Sequence, residues 1–112
     1  KMLEVILKNY LELALNKTVY LEIPANATSE YYVLERVGGN EEEKIYHSSV
    51  TVESHGSSMY NSAKMDEDMI AAMLDAIAVE DIVKVELNSH YNATDPERKI
   101  YKYKALFDIT HY

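Results

Sequence analysis

No cysteine and no tryptophan occur in these 112 residues, and there are only three glycines and two prolines. Without cysteine, disulfides and thiolate metal sites are excluded and the redox compartment leaves no mark. No apolar run approaches the roughly 18 residues of a membrane span. No basic leader precedes an apolar stretch either, so neither membrane insertion nor secretion is expected and the cytoplasm is the default. The Asn-x-Thr sequons at Asn16, Asn26 and Asn92 then read as chance matches. Basic residues are scarce as well: 11 Lys and Arg stand against 19 acids, for a net charge of -8. That balance disfavours a grip on nucleic acid through its phosphates. Walker, GxGxxG, HExxH, GxSxG and EF-hand spacings are missing, and Gly38-Gly39 alone cannot cradle a phosphate.

What is present suits one domain over residues 2–112, with a modest core. Lys1 ahead of Met2 reads as a residue added in expression, with Met2 the natural start. Ten tyrosines against one phenylalanine favour half-wet positions, subunit interfaces among them, where the ring packs and the hydroxyl finds a partner. Leu3, Ile6, Leu7, Tyr10, Leu11, Ala14 and Leu15 mark a helical face that stops at Asn16-Lys17. A strand is expected over Thr18–Ile23, closed by Pro24, then a loop over Ala25–Glu30. A second strand over Tyr31–Val37 could sit centrally in a sheet, with a turn at Gly38-Gly39-Asn40.

The chain is organised around Lys44–Ala78, where the strand Ile45–His55 turns through Gly56-Ser57-Ser58 into a long helix. Ser48, Val50, Val52 and Ser54 share one face of that strand. In the helix, Tyr60, Ala63, Ile70, Leu74 and Ile77 recur at three- and four-residue spacing and are expected to form the core stripe, widened by Met59 and Met73. Met65 and Met69 then fall towards the other side, and Ser57 or Ser58 caps the helix. Two antiparallel strands complete the chain, Ile82–Tyr91 and Tyr101–Ile109, joined by a hairpin tip at Asn92–Lys99. The expected fold is α+β: two helices packed on one mainly antiparallel sheet, in the order α-β-β-β-α-β-β.

Candidate chemistry is sparse. Glu41-Glu42-Glu43 reads as a mobile acidic loop rather than a metal site, because adjacent carboxylates do not converge without other ligands. His47 and His55 share strand parity, but eight residues of strand span about 26 Å, too far for one ion. A serine activated by His55 and oriented by Asp66 or Glu67 can be written down, with Ser54, Ser57 or Ser58 as nucleophile. No oxyanion donor set accompanies it, and capping accounts for the serines. Lys99, Lys102 and Lys104 read as a solvated face or as protection for a sheet edge. No catalytic group, cofactor or metal is expected.

Taken in order, the pieces resemble a known family. They are the first helix running into Val19-Tyr20-Leu21-Glu22-Ile23-Pro24, then Tyr32-Val33-Leu34-Glu35-Arg36-Val37-Gly38-Gly39, then Val50-Thr51-Val52-Glu53-Ser54-His55-Gly56 passing to Tyr60-Asn61-Ser62-Ala63, and finally the Asp95-Pro96 hairpin with its Tyr-rich last strand. This series is similar to the small tail terminator or tail completion proteins of long-tailed bacteriophages and prophages. The resemblance implies a structural virion protein without catalysis or cofactor. It would form a homo-oligomeric, hexameric ring at the head-proximal end of the tail, between tail tube protein and head connector protein. It also implies assembly in the bacterial cytoplasm and residence in the virion, with DNA passing through the ring; an acidic lumen would let DNA slide. The family pattern fixes no contact residues. Candidate regions are the loop with Glu41, Glu42 and Glu43, the hairpin with Tyr91, Asp95 and Arg98, and the outer face of the last strand with Lys102 and Lys104. Other readings are a head-closure or connector adaptor and a small-molecule-binding or hydrolytic α+β domain.

Overall fold

The computed structural model describes residues 2–26 and 29–112. Among these residues the chain forms α1 (Leu3–Leu15), β1 (Val19–Tyr20), β2 (Tyr31–Glu42), β3 (Ile45–Gly56), α2 (Met59–Leu74), a 3-10 turn (Asp75–Ala78), β4 (Ile82–Asn92) and β5 (Tyr101–His111). The fold is α+β with the expected element order, and the sheet runs β1-β2-β3-β5-β4. Every neighbouring pair is antiparallel except β1 with β2. Part of the expected loop Ala25–Glu30, at residues 27 and 28, lies outside the described residues, as does Lys1.

Both helices cover one face of the sheet. From α1 come Leu3, Leu7 and Leu11, one per turn, and Asn16 ends the helix in the left-handed conformation (φ 53°) that asparagine tolerates better than most residues. The sheet contributes Tyr32, Leu34, Val50, Val52, Ala105, Phe107 and Ile109 to the same core. Tyr10 ties the helices together by donating to the Ala72 carbonyl at 2.7 Å. The passage from β3 to α2 is tight: a Cβ on Gly56 would lie 2.5 Å from the Ser62 nitrogen, so only glycine fits. Ser58 caps α2 by accepting from the Asn61 amide at 3.0 Å.

The buried face of α2 is the expected one only in part, with Met73 buried and Ile70 packed against the core. Met65, Met69, Ala72 and Met73 face the core with Ser62 and Asp66, whereas Tyr60 (76% exposed), Leu74 (41%) and Ile77 (58%) face solvent. Both sets recur at helical spacing, so periodicity could not choose between them; the strong hydrophobes drew the choice, and flexible methionines fill the gap beneath the helix instead. Ile77 is carried further out of phase because the helix gives way to the 3-10 turn after Leu74.

The strands differ from expectation in three places. The first ends at Tyr20, and from Leu21 the chain leaves the sheet, so that Leu21, Glu22 and Ile23 line a cavity of ≈ 300 Å³ with Val33, Glu35, Thr51, Glu53 and Lys104. The Gly38-Gly39-Asn40 turn is absent. A β-bulge between Arg36 and Gly38 absorbs the glycines, β2 runs on to Glu42, and Glu43 and Lys44 (φ 52° and 67°) make the turn. In β4, bulges between Ile82 and Lys84 and between Leu87 and Ser89 each shift the alternation by one residue. His90 consequently lies on the face that α2 covers, where it is half-exposed and reaches Asp66, and Tyr91 points away.

Candidate functional site

The two hairpins project from opposite ends of the sheet, because β5 is antiparallel to β3 and its first residue, Tyr101, lies beside Gly56 at the far end from Glu43. The molecule is elongated accordingly, 46 × 25 × 23 Å. Glu41, Glu42 and Glu43 therefore stand at one pole, and Tyr91, Asp95, Arg98 and Lys102 stand at or towards the other. The structure separates the candidate residues into two surfaces and does not gather them into one.

At the acidic pole, Glu41 and Glu42 are strand residues paired with Tyr46 and Ile45, and the Glu41 carboxylate accepts from the Lys44 amide at 2.8 Å. The loop is thus a tight turn on a long ribbon. At the other pole, the Asp95 carboxylate accepts from the Glu97 and Arg98 amides at 3.1 and 3.3 Å, and Arg98 Nε lies 3.8 Å from it. Those bonds give the tip a defined shape. Tyr91 is 54% exposed on β4. Lys102 and Lys104 do not guard an edge, since β5 is enclosed between β3 and β4. Lys104 instead reaches Glu53 at 3.8 Å on the sheet face away from the helices.

The unguarded edges lie elsewhere. β4 has no strand on its outer side, and its eleven residues are mostly exposed, Val83 and Tyr91 included. On the opposite side, β1 pairs only with Tyr32 and Val33, so residues 35–42 of β2 are bare and exposed.

Three histidine contacts complete the inventory. His55 Nε2 donates to the Glu53 carboxylate at 2.8 Å and the ring stacks on Tyr31 at 4.6 Å, which takes it away from the serines; Ser57 is bonded to Glu30 and Asn61. The His55 hydrogen bond, opposed in part by burial, holds the Glu53 carboxyl below its usual range. Asp66, buried in α2, bonds His90 Nδ1 at 2.9 Å through one oxygen, while its other oxygen has no hydrogen-bond partner among the described residues. Burial raises its pKa despite the histidine. A serine–histidine contact is present elsewhere, between residues 63 apart: Ser48 Oγ lies 2.8 Å from His111 Nε2. Sequence spacing could not disclose that pair, which exists because β3 and β5 are neighbours. Among the described residues, no group of three His, Asp or Glu is arranged to hold a metal ion, and no helix is long and apolar enough to cross a membrane. In comparisons with known proteins, no family model and no curated protein matches this chain.

Proposed function

We propose that this chain is a tail terminator or tail completion protein of a long-tailed phage or prophage. In this reading it is a structural subunit that closes as a hexameric ring on the head-proximal end of the tail tube and joins the tail to the head connector. The observation that carries the reading is the pair of bare sheet edges. Residues 35–42 of β2 and the whole of β4 lie on opposite sides of one sheet and differ in length and sequence. Edges of this kind favour a head-to-tail contact between unlike surfaces, which closes into a ring when its rotation permits.

Two further features support the role. The poles differ chemically, one bearing Glu41, Glu42 and Glu43 and the other mixing Asp95 and Glu97 with Arg98 and Lys99. A ring with strands roughly along its axis would then offer one surface to the tube and a different one to the connector. Tyr60 and Leu74 on the outward side of α2, with Ile77 in the 3-10 turn after it, add apolar area that a neighbouring copy would cover. The test combines light scattering over protein and salt concentration with electron microscopy of purified tail tubes mixed with the protein. Rings seated on one end of each tube are expected. A strict monomer that binds no tube end would refute the reading, and binding to the connector alone would transfer it to a head-closure adaptor.

A further inference from the structure

We propose that Ser48 is an acylatable nucleophile served by His111 as its base, in an open groove that accepts small acyl esters. The groove, ≈ 450 Å³, runs along the β2 bulge and is lined by Arg36, Gly38, Gly39, Glu41, Tyr46 and Ser48. Three observations assemble the site. Ser48 Oγ and His111 Nε2 are 2.8 Å apart. The other ring nitrogen, Nδ1, lies 3.2 Å from the Tyr112 carbonyl oxygen, which can only accept. Nδ1 therefore carries the proton, and Nε2 is left with the lone pair that a hydroxyl donates to. Third, Gly39 stands directly opposite Ser48, where a Cβ would come within 3.2 Å of the hydroxyl and 2.5 Å of the His47 carbonyl oxygen, so only glycine fits beside Ser48, which lines the groove with 5% of its surface exposed.

The surroundings suit a neutral base. His111 is buried and stacked on Tyr46 at 5.4 Å. Burial, with the charges of Arg36 and His47, holds its imidazole below the ordinary value of 6.5, against the Tyr112 hydrogen bond and Asp81. Arg36, whose Nε lies 3.6 Å from Glu4, also lines the groove. In the reaction, Ser48 Oγ bonds to the ester carbonyl carbon as its proton passes to His111 Nε2. The tetrahedral oxyanion collapses, the bond to the leaving oxygen breaks, and that oxygen takes the proton from Nε2 and departs as an alcohol. Water, deprotonated by the same nitrogen, attacks the acyl-serine; the carboxylic acid leaves and Ser48 regains its proton.

The chemistry is independent of ring assembly and is tested on the whole chain with two probes, p-nitrophenyl acetate and a fluorophosphonate. The expected result is a stoichiometric burst of nitrophenolate, with the acetyl or phosphonyl group mapped to Ser48 by mass spectrometry. Ser48→Ala should abolish the adduct, His111→Gln should slow acylation roughly 100-fold or more, and Ser57→Ala should leave it unchanged. Circular dichroism spectra confirm that each variant is folded. Absence of an adduct at Ser48 in the unaltered protein, or an adduct formed equally fast in folded His111→Gln, would overturn the proposal.

Discussion

Tyr32 shows how much one side chain can couple folding to solution conditions. It is fully enclosed beneath α2 and donates its hydroxyl to the Met65 carbonyl at 3.2 Å. Burial, reinforced by the charges of Asp68, Glu30 and Asp66, drives its pKa far above the ordinary 10.0. The unfolded chain gives up that proton at ordinary tyrosine pH while the folded chain keeps it. The stabilisation is therefore complete below about pH 10 and is lost as pH rises beyond it. Absorbance titration at alkaline pH should show Tyr32 ionising only with loss of the helical circular dichroism signal. Tyr32→Phe should shift that transition to higher pH. On the acid side, Glu53 works in the opposite sense, since its lowered pKa stabilises the fold above the ordinary 4.5 and the contribution vanishes as pH falls through the folded value.

Among the elements, α2 gives the sharpest test of packing. Met69 is completely buried and Leu74 lies at the rim, so Met69→Ala should cost about 2–5 kcal/mol and Leu74→Ala about 1 kcal/mol or less, read from denaturant midpoints. Reversed magnitudes would mean that the helix presents its other face to the sheet. The same helix marks the limit of what the chain discloses by itself. In α1 the leucines at 3, 7 and 11 form the strongest apolar stripe, and it is the buried one. In α2 two stripes compete, and the sheet beneath selects the one with methionines, an alanine, Ser62 and Asp66, which no hydrophobic period would favour. The longer strands and the pairing of the last two were legible from alternation; the bulges in β2 and β4 were not, because a single inserted residue leaves no compositional mark. The positions of His90 and Tyr91 depended on such a bulge. The Ser48–His111 contact and the distance between the candidate surfaces both depend on strand order, which local pattern does not encode.

At the scale of the whole molecule, charge and edges set the terms of association. Each copy carries a net charge of -8, so neighbours repel at low ionic strength, and added salt should raise the average mass seen by light scattering. Val83 lies exposed on the bare β4 edge. Val83→Lys should therefore return assemblies to monomer while leaving the melting temperature within a few degrees, because a surface substitution changes stability by only about 0.5 kcal/mol. An unchanged mass would locate the contact away from β4. Sheet order also governs how the protein is born. β5 is the last strand to be synthesised yet lies between β3 and β4, so until Tyr101–His111 has cleared the ribosome two long strands wait with their inner edges unpaired. A chain cut short before Tyr101 should be captured by chaperones or lost to aggregation, rather than fold as a smaller working subunit.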